Sequence, residues 1–308
     1  MTGFPARTSE SSAMRGCIVV DLHVSRGAGH QCTLLTFKMT NRRNKGTEPM
    51  EPDVKHIVGQ FMRTRTIPLV WKADGLTSSV GTGTLFRIAD RHFIVTARHI
   101  FDEYDPQKIA YQGRRDSTTS LFTIGIARLV KPNTPEPDVA VIEILEENTK
   151  KRLCTGWEFL TLDNVAPPSV DGVFALMGYP ESTANSELWV PPKGIVYSTN
   201  RIIDPPKEAP NVNTETDLFF EYGVTALAEY KEVEAPELQG TSGGSVWEYV
   251  DLDGGLWAPE KVVKVVGVQS ARLRGKYFRA VSWGVVASIL GQMDVHLKDA
   301  VMQVLESV

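Results

Sequence analysis

Three residue types that together perform acyl transfer stand at Ser242, His99 and Asp138. Ser242 lies in Gln239-Gly240-Thr241-Ser242-Gly243-Gly244-Ser245. A serine hydroxyl is a weak nucleophile until a base takes its proton, and the oxyanion formed on the attacked carbonyl needs preset donors. Glycines beside the serine let the backbone turn tightly, so the N–H groups of Gly240 and Ser242 can converge where that oxygen would lie. His99 closes the apolar run Arg91-His92-Phe93-Ile94-Val95-Thr96-Ala97-Arg98-His99, and Asp138 opens Asp138-Val139-Ala140-Val141-Ile142. An imidazole there would take the serine proton, and the carboxylate would hold the other ring nitrogen and fix the tautomer. The separations, 39 and 104 residues, put base and acid in one half of the chain and the serine in the other.

Other groups of the same type are weaker choices. His92 sits at the polar start of the same run, seven residues before His99, and reads as structural. Asp102 and Asp105 follow His99 so closely that their carboxylates are expected to face water. Asp138 is preferred because an apolar strand follows it.

At these residues the chain resembles the trypsin/chymotrypsin-like serine proteases, of the bacterial and intracellular type without disulfides. Thr96-Ala97-Arg98-His99 is similar to the family's Thr-Ala-Ala-His, Asp138-Val139-Ala140-Val141 to its Asp-Ile-Ala-Leu, and Gly240 to Gly244 to its Gly-Asp-Ser-Gly-Gly. The order His, Asp, Ser is that of chymotrypsin. Val80-Gly81-Thr82-Gly83-Thr84-Leu85-Phe86 resembles the strand before the histidine strand, and Val265 to Ser270 the strand that pairs with bound peptide. The likeness runs from about Leu69 to Gly291. It implies a serine endopeptidase with catalytic His99, Asp138 and Ser242, an oxyanion hole at Gly240 and Ser242, and substrate contacts at Pro236, Gln239, Val268, Gln269 and Ser270. An inactive protease-fold binding module, or an esterase-like acyl hydrolase using the same triad, is the alternative.

Departures from the family pattern carry information too. Thr241 replaces the aspartate that pairs with a freshly cut N-terminus during zymogen activation, so that switch is expected to be absent. Ser245 stands in place of a proline, and Arg98 in place of a small residue. The resemblance implies that Pro236, six residues before the serine, lies at the base of the primary pocket, where it brings no charge. The expected preference is therefore an uncharged, small-to-medium apolar side chain, although Glu234 and Glu237 flank that position.

Composition agrees with a globular protein: 308 residues, 42% hydrophobic and 23% charged. Three cysteines, Cys17, Cys32 and Cys154, exclude the family's disulfide framework and favour a reducing, cytoplasmic setting. No run approaches the roughly 18 to 20 apolar residues of a membrane span, and no secretory signal is expected. Residues 1–50 carry net charge +4, the remaining 258 net −8. That split marks residues 1–50 as an N-terminal extension, expected to be poorly ordered, with a linker over 41–49. Its cluster Arg42, Arg43, Lys45 lacks interleaved aromatics and reads as solvated. No nucleic acid, membrane, metal or cofactor is expected; the partner is a protein or peptide substrate. Any regulatory partner protein is left open.

From Ile67 short β-rich runs separated by turn residues predict an all-β fold of two six-stranded antiparallel barrels within 51–291, with a boundary near 165. Expected strands are 68–72, 83–88, 93–96, 121–127 and 139–144, then 173–177, 194–198, 218–222, 244–249, 262–268 and 276–280. Behind Ser282, Val285, Ile289, Met293 and Leu297 recur at four-residue spacing. They predict a C-terminal helical segment, 282–308, packed on the second barrel.

Overall fold

The computed structural model describes residues 19–20, 52–73, 76–113, 120–183, 193–228, 231–250 and 258–307. The expectation about the N-terminal extension falls almost wholly outside the described residues. Within it, β1 (Val19–Val20) pairs antiparallel with Val196 and Tyr197. The expected strands begin at Pro68, yet α1 (Pro52–Arg63) precedes the first sheet. Its signal is present in the chain: Pro52 is suited to a first helical position, and Val54, Val58, Phe61 and Met62 follow the i, i+4, i+7, i+8 pattern and are all buried.

The first sheet holds β2 (Thr66–Ala73), β3 (Leu76–Ile88) and β4 (Arg91–Thr96). After a short α2 (Ile100–Glu103) come β5 (Ile109–Gln112), β6 (Leu121–Thr123), β7 (Ala127–Val130) and β8 (Ala140–Ile144). Their order is β6-β5-β2-β3-β4-β8-β7, all antiparallel. Residues 121–127, expected as one strand, are two, because Gly125 turns the chain with φ 75° between them. β4 and β8 are neighbours, with Thr96 opposite Ala140. His99, just past the end of β4, and Asp138, just before the start of β8, are therefore placed side by side by antiparallel pairing.

α3 (Glu147–Gly156) leads into a segment that crosses between the halves. Leu160 bridges to Phe86, and Val165 bridges to Val265, where the Ala166 amide also donates to the Val265 carbonyl at 3.1 Å. The second half contains β9 (Val173–Gly178), β10 (Ile195–Thr199), β11 (Arg201–Ile202) and β12 (Asp217–Glu221). A separate hairpin follows, β13 (Thr225–Ala228) with β14 (Lys231–Glu234). β15 (Ser245–Tyr249), α4 (Pro259–Val262), β16 (Val263–Leu273) and β17 (Tyr277–Ser282) complete it. The sheet order is β1-β10-β9-β15-β16-β17-β12-β11. The architecture is the expected chymotrypsin-like pair of curled antiparallel sheets, with seven and eight strands rather than six each. The surplus comes from the split at Gly125, from β5, which no expected strand covered, and from the two-residue strands β1 and β11.

The C-terminal segment is two helices, α5 (Trp283–Met293) and α6 (Val295–Glu306). Asp294 ends the first with extended backbone (φ −163°, ψ 124°), and its carboxylate caps the second by accepting from the His296 amide at 3.0 Å. α5 packs on both halves. The Trp283 ring lies 4.5 Å from Phe86 of β3, and Val286, Ile289 and Leu290 join Phe93, Val141, Val265 and Val281 in one buried cluster. Each barrel also has its own interior, Ile67, Leu85, Ile94 and Ile142 in the first and Phe174, Phe220, Val246 and Phe278 in the second. Because the shared cluster joins the halves, a cavity in it is expected to be costly. Leu290→Ala should lower unfolding free energy by about 2–5 kcal/mol in urea titrations. Ile126→Ala, at a side chain 67% exposed, should change it by no more than about 0.5 kcal/mol.

Candidate active site

His99 follows β4 and opens α2, so its ring is carried on the rim of the first sheet. Asp138 is buried and uses both carboxylate oxygens on this one residue. Oδ2 lies 2.7 Å from His99 Nδ1, and Oδ1 accepts the His99 backbone N–H at 2.9 Å. Holding both ring and backbone fixes the imidazole with Nδ1 as donor and leaves Nε2 as the basic nitrogen. Burial alone would lower the His99 pKa. The hydrogen bond and charge of Asp138, with a smaller contribution from Glu103, outweigh that burial and the nearby Arg98, and the group titrates above its ordinary value. The folded state thus binds this proton more tightly than the unfolded chain. Its stabilising effect is fully present below about pH 6.5 and is lost as pH rises through the folded midpoint. Above that midpoint the ring is a neutral base.

His92 behaves oppositely. It lies edge-on to Phe159 with ring centroids 4.8 Å apart and its Nε2 3.7 Å from Cys154 Sγ, and burial, with Lys150 and Arg87, pushes its pKa down. Asp102 is paired with Arg98 and Lys131 at 2.6 and 2.5 Å, and Asp105 caps a turn through the Gln107 amide at 2.9 Å. Neither carboxylate is the partner of His99.

Ser242 sits between β14 and β15 in a loop pressed against the first sheet. Its carbonyl accepts the Thr82 N–H of β3 at 2.8 Å. The Thr82 hydroxyl donates to the Gly240 carbonyl at 3.1 Å and accepts the Tyr179 N–H at 3.0 Å. Thr96, three residues before His99, donates its hydroxyl to the Thr82 carbonyl at 2.6 Å, and Ser245 donates to the Thr84 hydroxyl at 2.8 Å. The approach is so close that a Cβ on Gly243 would lie 2.2 Å from Thr96 Oγ1 and 2.6 Å from the Ala97 nitrogen. Gly243 (φ 87°) and Gly240 (φ 89°) also hold the left-handed backbone that glycine adopts without strain. The serine loop and the histidine segment are thus in direct contact.

Within that loop, three amides around the serine are engaged. Thr241 donates to the Leu238 carbonyl at 3.2 Å, Gly243 to Gln269 at 2.8 Å and Gly244 to Thr241 at 2.8 Å. The amides of Gly240 and Ser242, the two expected oxyanion donors, are in no hydrogen bond among the described residues. The buried Thr241 hydroxyl donates to the Leu238 carbonyl at 2.8 Å and so holds the loop from inside. The hydrogen bonds of the described residues include none between Ser242 and His99; nucleophile–base bonds commonly tighten only with substrate bound.

The remaining expected site residues are placed unevenly. Pro236 is half-buried with its carbonyl accepting from Tyr222 Oη at 2.9 Å, and Gln239 is exposed with Nε2 donating to Glu181 at 2.9 Å. Val268 is fully buried and paired on both edges, to Ser245 and Val281. The Gln269 backbone is taken up by the serine loop, its amide donating to the Gly244 carbonyl at 2.8 Å. Ser270 is buried and donates to the Arg279 carbonyl at 3.3 Å. Beyond Val268, β16 has no partner on its β15 side apart from Gln269 among the described residues, so the edge nearest Ser242 is Ser270 to Leu273. Glu234 and Glu237 are both tied to Arg274, the first at 2.6 Å. Thr82, Thr84 and Thr96 were not singled out as site residues from sequence. Threonine on a strand reads as ordinary β-former, and the partners of Thr82 and Thr84 in the serine loop lie about 160 residues away. Among the described residues no group of acidic, histidine and cysteine side chains could hold a metal, and no helix is long and apolar enough to cross a membrane.

No family model matches the chain, and no curated protein does. Among solved structures it is similar to the scabies mite inactivated protease paralogue SMIPP-S-I1, at 15% identity over 77% of this chain and 96% of that one, TM-score 0.46. It is similar to the inactive form of the Rv3671c protease of M. tuberculosis at 15% identity, 79% and 96% coverage and TM-score 0.46. A Sesbania mosaic virus structure, described for the coupled folding and binding of the VPg protein, matches at 16% identity, 74% and 90% coverage and TM-score 0.44.

His99 gives a direct check on the electrostatics. In NMR titration of the imidazole resonances, its midpoint should lie above about 6.5. In Asp138→Asn it should fall below the wild-type midpoint, while the His92 midpoint stays depressed.

Proposed function

We propose that this chain is a serine endopeptidase working through an acyl-enzyme intermediate. What carries the reading is the pairing of His99 with a buried carboxylate beside a serine loop in which, among the described residues, the amides of Gly240 and Ser242 are in no hydrogen bond. In the first step His99 Nε2 takes the Ser242 proton as Oγ attacks the substrate carbonyl, and the two amides receive the oxyanion. The imidazolium, stabilised by Asp138, then protonates the leaving amine. Water, deprotonated by the same nitrogen, hydrolyses the ester and returns Ser242.

The open edge of β16 supports a peptide as substrate. An extended chain can add there as a strand, with Ser270 to Leu273 supplying main-chain hydrogen bonds beside the serine. Arg274 neutralises Glu234 and Glu237, and Pro236 is uncharged, so the primary side chain is proposed to be uncharged and small to medium in size. Thr241, held by its hydroxyl within the loop, supports activity without cleavage of an N-terminal segment. Sparse cysteine supports action in a reducing, cytoplasmic compartment. No cofactor, nucleic acid or membrane enters the scheme.

Treating the folded protein with a biotinylated fluorophosphonate and reading intact mass tests this. Wild type should take one label at Ser242. Ser242→Ala should take none, and His99→Ala should label slower by about three orders of magnitude or more. Peptides varied at the primary position should be cleaved fastest with uncharged side chains. An unlabelled, folded wild type would instead make the chain a binding module on a protease fold.

A further inference from the structure

The acid member of the site depends on a loop, Thr134 to Asp138, that is not itself part of a strand. Arg98, adjacent to His99, holds one point of that loop by donating from Nε to the Pro135 carbonyl at 3.1 Å. A second hold comes from the other half of the molecule. Arg279, on β17, is 5% exposed, and its Nη2 donates to Glu136 Oε1 at 2.5 Å, two residues before Asp138. The same guanidinium is anchored in its own sheet, donating from Nη1 to the Pro210 carbonyl at 3.3 Å and lying 3.5 Å from the buried Asp217 carboxylate. Asp217 is fixed in turn by the Asn213 amide at 3.0 Å.

An arginine taken out of water this completely costs free energy unless its charge and its donors are met. A lysine would suffice for charge alone. What the guanidinium adds is a rigid fork that binds two groups at a fixed angle, here one in each half of the molecule. Ser270 bonds the Arg279 carbonyl, so the brace also begins next to the strand that ends at the substrate edge.

We propose that Arg279 is a positioning residue for Asp138: by gripping Glu136 from the second sheet it sets the loop that aims the Asp138 carboxylate at His99. The inference rests on the peptidase reading for its kinetic consequence, though not for its geometric one. The charged groups around His99 are Asp138, Glu103 and Arg98; those around Arg279 are Glu136 and Asp217.

The test compares wild type with Glu136→Gln, Arg279→Lys and the double variant. Each is followed by His99 NMR titration, by the pH profile of kcat/KM on the best peptide of the panel, and by thermal unfolding. Glu136 is partly exposed, and its replacement leaves the buried Arg279 still paired with Asp217, so this variant keeps the test usable if Arg279→Lys fails to fold. Loosening the loop should lower the His99 midpoint by about half to one unit in both single variants. The kcat/KM value should fall about tenfold or more, since small misplacements at a reacting centre are costly. Arg279→Lys keeps the positive charge, so a fall there reports geometry rather than net charge. The double variant should be no worse than the worse single one, because the two residues act as a unit. Unchanged His99 midpoints in folded single variants, or losses that simply add, overturn the proposal. If wild type neither labels nor cleaves, the peptidase reading fails while the titration arm still decides the brace.

Discussion

Thr82 is the hinge on which the candidate site turns. Its amide and hydroxyl hold two carbonyls of the serine loop, those of Ser242 and Gly240, while its own carbonyl is held by Thr96 on the histidine strand. The loop belongs to the second sheet and the strand to the first. A buried carbonyl or amide left without a partner costs about 1–3 kcal/mol, so sliding the halves apart would break several such bonds together. Packing alone is non-directional and would tolerate small shifts; these hydrogen bonds define one registration. Gly243 makes the approach feasible, since any side chain there would meet Thr96.

Much of this was legible in the chain because it depends on local sequence. The pairing of His99 with Asp138 follows from two strand ends, and β4 and β8 both announce themselves as apolar runs. The serine loop is marked by its glycines, two of which hold positive φ. Less legible were features whose cause is distant. α1 carries a helical stripe of four apolar residues within a stretch of mixed polarity, and the break at Asp294 overrides a regular four-residue spacing because a cap and a salt bridge to Arg91 at 3.2 Å favour it. The threonines stand inside recognisable motifs, but their bonds to the serine loop were not legible, since those from Thr82 and Thr84 reach residues about 160 positions away. Assigning Val268 to substrate contact came from position in a motif, whereas the fold gives both its edges to neighbouring strands.

Electrostatics separate the two histidines of one strand region. His99 faces a carboxylate that outweighs its burial, whereas at His92 burial with Lys150 and Arg87 outweighs the opposing charges of Glu147 and Asp90. The same contrast recurs among the carboxylates. Asp102, near His99 in sequence, is occupied by Arg98 and Lys131, which leaves Asp138 as the acid that the imidazole meets. Arginines thus sort the acidic groups around the site: Arg98 withdraws Asp102, Arg274 withdraws Glu234 and Glu237, and Arg279 ties Glu136 to the second sheet.

On the proposed reading, the serine loop is set to receive charge on a substrate oxygen. A crystal structure of the protein after phosphonylation of Ser242 tests it most directly, because the adduct mimics the tetrahedral intermediate. The account predicts the phosphoryl oxygen about 2.7–3.1 Å from the amide nitrogens of both Gly240 and Ser242, with the Thr82 bonds to the loop unchanged. An adduct whose oxygen points to solvent, or a loop in which the Gly240 amide is turned away, would contradict it.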